Sequence, residues 1–172
     1  MEKIDSRTEY EGSMVDVQVA SFRSGDGSTR EREIVCHPGA VAIVAYDERS
    51  VYLVRQPREA VGVDDLLELP AGKLDEDESP LECAKRELRE EVRVSAGSWR
   101  ELKRFYSSPG FTDEEVWVFA ATDLEHGESD PDEGEEIDIV EAPIAELDEL
   151  IDQCADAKSL VGLLMLRDEL AA

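Results

Sequence analysis

The stretch GKLDEDESPLECAKRELREEVRV, residues 72–94, decides the fold and raises the first chemical question. It places Glu87, Glu90 and Glu91 on one short segment of a chain that is already strongly acidic. Like charges three or four residues apart destabilise a helix by about 0.2–0.5 kcal/mol per pair. Something must offset this loss, and the candidates are solvation, a bound cation, or both.

The segment carries the signals of a helix start. Ser79 suits the N-cap position, Pro80 suits the first helical position, and Glu82 completes a capping box of the form S-x-x-E. Apolar residues then recur at helical spacing, which predicts a stripe that faces the core: Leu81, Ala84, Leu88 and Val92.

Glu87 and Glu91 lie one helical turn apart beside that stripe, and Glu90 flanks them. Three converging carboxylates make an oxygen-only site, which suits Mg²⁺ or Mn²⁺ better than zinc. The alternative is one more solvated helix in an acidic protein. The glutamates alone do not separate the two interpretations.

The net charge is −25, from 43 acidic and 18 basic side chains in 172 residues. Such a surface repels nucleic acid and anionic membranes at moderate salt, so neither is expected as a partner. It is typical of a protein that works in concentrated salt, because dense carboxylates hold water and counterions. An apolar content of 41% is enough for a folded core.

Neither a membrane span nor a signal peptide is expected. Every apolar run is shorter than a span, and the opening MEKIDSRTEYEG lacks the basic and apolar regions of a signal peptide. Cys36, Cys83 and Cys154 are far apart and without CxxC spacing, which predicts small buried thiols in a reducing cytoplasm. His37 and His126 stand alone and are interpreted as solvated or structural.

The rest of the chain alternates strands with helices. MVDVQVASF (14–22) and REIVCH (32–37) flank the turn cluster SGDGST (24–29), which predicts an antiparallel hairpin. AVAIVAY (40–46) reads as a strand buried on both faces, with VYLVRQ (51–56) as its partner. Further extended segments are expected at 66–72, 99–108, 114–122 and 137–143, and further helices at 145–155 and 156–170. The predicted fold class is α/β (α+β), with an N-terminal β hairpin over 1–38 and a main domain over 39–172.

Fixed residues around the helix form the pattern G-x5-E-x7-R-E-U-x-E-E, where U is a bulky aliphatic residue. The members are Gly72, Glu78, Arg86, Glu87, Leu88, Glu90 and Glu91. This pattern resembles the Nudix box, the signature of hydrolases that cleave nucleoside diphosphates linked to another group. Acidic composition cannot supply the glycine, arginine and leucine at these offsets. The resemblance implies a Nudix-like α/β/α sandwich with a mixed sheet.

Three positions of the box carry structural expectations. Gly72 allows a tight turn before the helix, and Arg86 can bond Glu78 or Glu90 to hold the loop against the helix. The family usually has glycine where this chain has Arg93. Arg93 therefore predicts that the helix continues, toward SAG at 95–97.

Resemblance to the ADP-ribose pyrophosphatase branch extends over nearly the whole chain. The segments that carry it are RQPR (55–58), ELPAG (68–72), SSPGF (107–111), DEGE (132–135) and DAKSLVGLL (156–164). QPR replaces the commoner Q-aromatic-R, which puts the packing before Arg58 in doubt.

The resemblance implies a metal site and a catalytic base. The implied ligands of Mg²⁺, or of Mn²⁺ as a substitute, are the Ala71 carbonyl, Glu87, Glu90, Glu91 and Glu135. Glu91 thereby also belongs to the catalytic set. The base is assigned by position to Glu133, with Glu135 left open as the alternative.

Substrate contacts follow from the same resemblance. Arg58 and Arg32 match arginines that contact phosphate or ribose, although each could instead form a surface ion pair. Pro109, Gly110 and Phe111 would shape the terminal-ribose end. Adenine would stack on aromatics partly supplied by a second subunit, with Tyr10 and Phe22 as the candidates. Trp99 and Trp117 are expected to anchor the core.

The implied function is Mg²⁺-dependent hydrolysis of ADP-ribose to AMP and ribose 5-phosphate by a cytoplasmic homodimer, with the N-terminal hairpin over 1–38 as its dimerisation arm. The alternative is the same chemistry on another nucleoside diphosphate derivative: an ADP-sugar, NADH or a dinucleoside polyphosphate. A third possibility is a sensor that binds ADP-ribose without cleaving it. Such sensors often lose box carboxylates, whereas this chain keeps Glu87, Glu90 and Glu91.

Overall fold

The computed structural model describes residues 1–127 and 137–172 and divides the chain into two compact units. One unit consists of residues 1–39 and 105–115, and the other of residues 40–104 and 116–172. The segment 105–115 thus groups with the N-terminal strands.

The first unit is built on a three-stranded antiparallel sheet in the order β1–β2–β3. Its strands are β1 (Glu2–Glu11), β2 (Asp16–Arg23) and β3 (Thr29–Cys36). The predicted hairpin is confirmed as β2 and β3, which pair from Asp16–Cys36 to Arg23–Thr29. Sequence patterning does not predict β1, because every residue of that strand is exposed and no apolar alternation marks it.

The larger sheet has seven strands and the path β10–β5–β4–β9–β8, with β6 beside β5 and β7 beside β4. Its strands are β4 (Ala40–Tyr46), β5 (Ser50–Arg58), β6 (Val63–Glu68), β7 (Ala71–Lys73), β8 (Val94–Tyr106), β9 (Glu115–His126) and β10 (Asp138–Pro143). β4 runs parallel to β9 and antiparallel to β5 and β7, so the sheet is mixed. This confirms the predicted fold class.

In the described residues, three α-helices accompany the sheet: α1 (Pro80–Val92), α2 (Leu147–Gln153) and α3 (Ala157–Leu170). The predicted capping box is present, since Ser79 and Glu82 bond each other's backbone N–H groups. α1 buries Ala84, Leu88 and Val92 against the core, as its apolar stripe predicts. Leu81 does not belong to that stripe, because it lies in the first turn and is 36% exposed.

The remaining small predictions have mixed outcomes. Trp99 and Trp117 pack against the core while partly buried. The three cysteines are free, but only Cys83 is buried. Among the described residues, no helix is both long and apolar enough to cross a bilayer.

The end of α1 corrects the expectation for Arg93. The helix stops at Val92, and Arg93 adopts the left-handed conformation with φ 61° and ψ 35°. β8 begins at Val94, so the chain has to change direction within one residue. Arg93 therefore takes the backbone conformation that glycine adopts without strain, and replacement of the glycine has not lengthened the helix.

Replacing Arg93 with glycine is expected to stabilise the fold by about 1 kcal/mol, because a side chain in the left-handed region costs about 1–2 kcal/mol. Urea unfolding in concentrated KCl measures the change. Arg93→Ala is the matched control, since it removes the same charge but keeps the Cβ atom. A glycine variant no more stable than the alanine variant would contradict this account of the turn.

Candidate active site

Arg86 is the centre of a network of carboxylates on and before α1. Its Nε and Nη2 atoms donate to the two carboxylate oxygens of Glu78 at 3.0 and 2.9 Å. Its Nη1 atom donates to Glu87 at 2.6 Å and to Glu90 at 2.9 Å. Nη2 also reaches the carbonyl of Lys73 at 3.2 Å. One guanidinium thus ties the loop after β7 to two consecutive turns of the helix.

The bidentate bond from Arg86 lowers the pKa of Glu78 from 4.5 to about 2. Glu78 has the largest effect in raising the pKa of Arg86, and Glu87 and Glu90 raise it further. The Arg86 side chain is 26% exposed and that of Glu78 14%, so solvent screens their attraction only in part. The repulsion among the clustered glutamates is therefore offset by a cation of the chain itself.

Gly72 lies directly against Glu87. A Cβ atom built on residue 72 would overlap the Glu87 carboxyl group. The position therefore requires glycine because of a close approach between β7 and α1, whereas the sequence suggested a tight turn. Gly72 lacks a positive φ, which agrees with this reason.

Glu91 is the buried member of the cluster, at 8% exposure. Its Oε2 atom accepts a hydrogen bond of 2.9 Å from the backbone N–H of Ala71. This bond joins the end of α1 to the start of β7 and holds the carboxylate beside the Ala71 backbone. Two of the predicted metal ligands, Ala71 and Glu91, are thereby neighbours.

The side chains as placed do not form a ready-made metal cage. Within residues 1–127 and 137–172, no group of three or more His, Cys, Asp and Glu side chains is positioned to hold a metal ion. The geometry gives a reason, since Glu87 and Glu90 are turned toward Arg86 and Glu91 toward the Ala71 N–H. The donor set is nevertheless one that hard divalent cations favour, and Gly72 leaves the space that the Glu87 carboxyl needs.

Arg58, a predicted phosphate-binding residue, is clamped by a carboxylate. Its Nε and Nη2 atoms donate to Glu68 at 2.9 and 2.7 Å. Lys158 donates to the same carboxylate at 3.3 Å. Sequence reasoning assigned no role to Glu68 or Lys158, although both lie inside the quoted segments ELPAG and DAKSLVGLL. The signal in the sequence for Glu68 is a charged residue inside the apolar run that precedes Pro70.

A cavity of about 300 Å³ in the first unit brings together four other predicted residues: Arg32, Pro109, Gly110 and Phe111. Phe22 also lines it, whereas Tyr10 does not and is 59% exposed. The loop before β9 is tied to β3 by backbone bonds between Val35 and Phe111 at 2.8 Å and between Asp113 and Val35 at 3.3 Å. Glu133 and Glu135 lie outside the described residues.

Changing Glu78 to glutamine is expected to destabilise the protein by on the order of 3 kcal/mol at neutral pH, from the size of its pKa shift. Because the pKa of Glu78 is lowered in the folded state, its contribution to the free energy of unfolding is complete above pH 4.5. That contribution is lost as the pH falls toward 2. Urea unfolding of wild type and variant, both at low protein concentration, at pH 7, 5 and 3 measures the difference in their free energies of unfolding. Glu76→Gln, on the exposed loop, is the control. A difference between wild type and Glu78→Gln that stays constant down to pH 3 would contradict the assignment.

The chain is similar to known proteins over most of its length. Residues 37–161 match the NUDIX domain family model. The ADP-ribose pyrophosphatase of Bacillus subtilis (strain 168) is 36% identical over 170 residues, which cover 95% of this chain and 91% of that protein. The methanol dehydrogenase activator of Bacillus methanolicus is 34% identical over 163 residues, covering 92% and 88%.

A solved structure described as an ADP compounds hydrolase has a TM-score of 0.86 to this chain at 24% identity, with 99% of this chain and 94% of that chain covered. This likeness shows that the fold is shared. Since the domain match spans well over half of the residues and the full-length relatives exceed 30% identity, the chain belongs to the Nudix domain family.

Proposed function

We propose that this chain hydrolyses the pyrophosphate bond of ADP-ribose, giving AMP and ribose 5-phosphate. The chain is a Nudix hydrolase. The observation that carries the substrate assignment is full-length similarity to an ADP-ribose pyrophosphatase, together with a box whose three helix glutamates are all present. The full set of carboxylates also argues against a sensor that only binds.

Nudix hydrolases in general use divalent metal cations, and we propose Mg²⁺ here, with Mn²⁺ as a substitute. The residues that would hold it are the Ala71 carbonyl, Glu87, Glu90, Glu91 and Glu135. Support comes from the oxygen-only donor set and from the space at Gly72. A bound cation would neutralise phosphate charge and lower the pKa of a coordinated water.

The protein's own groups have distinct tasks in this proposal. The Ala71 N–H holds Glu91, and Arg86 holds Glu87 and Glu90, so the motion of these side chains is restricted before the substrate binds. Glu133 takes the proton of the attacking water, with Glu135 as the alternative base. A carboxylate that ligates a metal is a poorer base because its lone pairs are engaged.

Arg58 is proposed to bind a phosphate oxygen of the substrate. The pair with Glu68 engages its Nε and Nη2 atoms. In the part of the chain that the structure describes, its Nη1 atom makes no hydrogen bond, and the side chain is 39% exposed. Arg58 therefore keeps a donor for an anionic ligand after its orientation is fixed.

The cavity of the first unit is proposed to hold a ribose or base of the substrate through Arg32 and the segment 109–111. Tyr10 lies on β1, a strand exposed along its whole length. We propose that β1 contributes to a homodimer contact, so that Tyr10 reaches the substrate of the second subunit. A cytoplasmic location is proposed with it, supported by three free cysteines.

The direct test is release of products from a panel of substrates with and without Mg²⁺ in molar KCl. The panel contains ADP-ribose, ADP-glucose, GDP-mannose, NADH and a diadenosine polyphosphate. Hydrolysis of ADP-ribose to AMP at a clearly higher kcat/KM than the others supports the assignment. Equal rates on the whole panel would contradict the substrate assignment but leave the hydrolase class standing.

Glu91→Gln is expected to lower kcat by on the order of 10³-fold or more while the fold survives, because the variant loses a metal-ligand charge. The glutamine carbonyl can still accept the Ala71 N–H bond. Glu149→Gln, an exposed acid on α2, is the matched control for charge and should retain full activity. Near-normal Mg²⁺-dependent turnover by Glu91→Gln would refute the proposed metal site.

We also propose that the acidic surface adapts the protein to concentrated salt. A net charge of −25 makes the folded state repel itself in dilute buffer, where the Debye length is about 30 Å at 0.01 M. The unfolding temperature is expected to rise steadily from 0.01 M to 2 M KCl. An unfolding temperature that stays constant or falls over that range of KCl concentration would contradict this proposal.

A further inference from the structure

Two cations share a buried carboxylate at the end of β6. Glu68 is only 2% exposed and accepts hydrogen bonds from Arg58 and Lys158. Lys158 also pairs with Asp156 at 3.0 Å. A buried carboxylate is costly unless it is paired and hydrogen-bonded, and here Arg58 and Lys158 both supply that pairing.

The start of α3 holds Lys158 firmly beside β6. Its Nζ atom reaches Glu68 from the second residue of that helix, and its side chain is only 21% exposed. The next residue, Ser159, is buried, and its Oγ atom accepts the Leu69 N–H at 2.7 Å. One turn later, a Cβ atom on Gly162 would overlap the Leu69 side chain, which shows how closely the helix approaches the strand end. Lys158 is therefore a fixed cation and differs from an ordinary surface lysine.

The charge balance decides what Lys158 does. With Arg58 as its only partner, the negative charge of Glu68 would cancel the guanidinium charge that an anionic ligand needs. Lys158 partly neutralises the negative charge of Glu68, because its Nζ atom donates to Oε2, the same oxygen that Nη2 of Arg58 contacts. Asp156 adds a negative charge on the far side of Lys158, but its Oδ2 atom caps α3 by accepting the Ser159 N–H at 2.9 Å. The positive end of the helix dipole compensates that carboxylate.

We propose that Lys158 is a positioning residue for Arg58. By sharing Glu68, it leaves Arg58 with positive charge and with Nη1 available for a phosphate oxygen of the substrate. The inference deepens the proposed function and rests on it, since the diphosphate is the ligand assigned to Arg58. It assigns Lys158 to substrate affinity and not to bond cleavage.

Kinetics provide one arm of the test. Lys158→Met should raise KM for ADP-ribose about tenfold, as loss of one charge-assisted interaction does, with kcat changed less than about threefold. Lys158→Arg keeps the charge beside Glu68 and should restore most of the affinity. Arg167→Met removes a half-exposed cation from the same helix and should leave KM unchanged. Equal KM values for Lys158→Met and wild type would overturn the inference.

A second arm needs no turnover. The Nε–H resonance of Arg58 in ¹H–¹⁵N spectra, assigned with Arg58→Lys, reports its bond to Glu68. The resonance should shift in Lys158→Met, where Arg58 becomes the only cation that bonds Glu68. It should return toward the wild-type position in Lys158→Arg. A resonance unmoved by Lys158→Met would overturn the inference. Failure of the wild type to cleave ADP-ribose would refute the proposed function instead, and the resonance would still decide the role of Lys158.

Discussion

The hydrogen bonds of Arg86 to Glu78, Glu87 and Glu90 are the interaction on which the candidate site depends. Without this guanidinium, glutamates crowded on one helical face would repel each other and turn toward solvent. With it, they are ordered beside β7, where Gly72 leaves room for Glu87 and the Ala71 N–H fixes Glu91. Repulsion that would weaken an isolated helix is thereby offset by a cation of the chain itself, and the carboxylates stay close together beside β7.

The same principle recurs at the end of β6. Glu68, buried at the end of β6, is neutralised by Arg58 and Lys158 as the box glutamates are by Arg86. In both places a bidentate arginine sets the geometry, because its fork matches a carboxylate. In a chain with a net charge of −25, these two arginines thus stabilise carboxylates that are partly or fully buried. Exposed carboxylates need no such partner, since water and salt screen them.

Sequence reasoning predicts the elements that carry their own local signals. The capping box at Ser79, the buried run over β4 and the β2–β3 hairpin fall where they were expected. β1 has no such signal, because an exposed strand pairs through its backbone and needs no apolar face. Arg93 shows the opposite case: tertiary structure imposes a left-handed turn on a residue that disfavours it.

The sequence predicts only those residues of the candidate site whose spacing along the chain matches the box. The offsets of the box identify Gly72, Glu78 and Arg86, but not that Gly72 is needed for contact with Glu87. Glu68 and Lys158 are 90 residues apart and meet only because α3 packs against the end of β6. Such pairings depend on the folded arrangement, and no local pattern specifies them. The roles of Glu133 and Glu135 rest on resemblance alone.

Saturable binding of Mn²⁺ is the most direct test of the central claim that the helix glutamates exist to hold divalent cations. Calorimetric titration in 2 M KCl, with a non-hydrolysable ADP-ribose analogue present, separates a specific site from the diffuse attraction of an acidic surface. The account predicts a saturable site in wild type and in Glu149→Gln that is lost in Glu91→Gln. Identical Mn²⁺ uptake by all three proteins, or none by any, would contradict it and leave surface hydration as the explanation for the cluster.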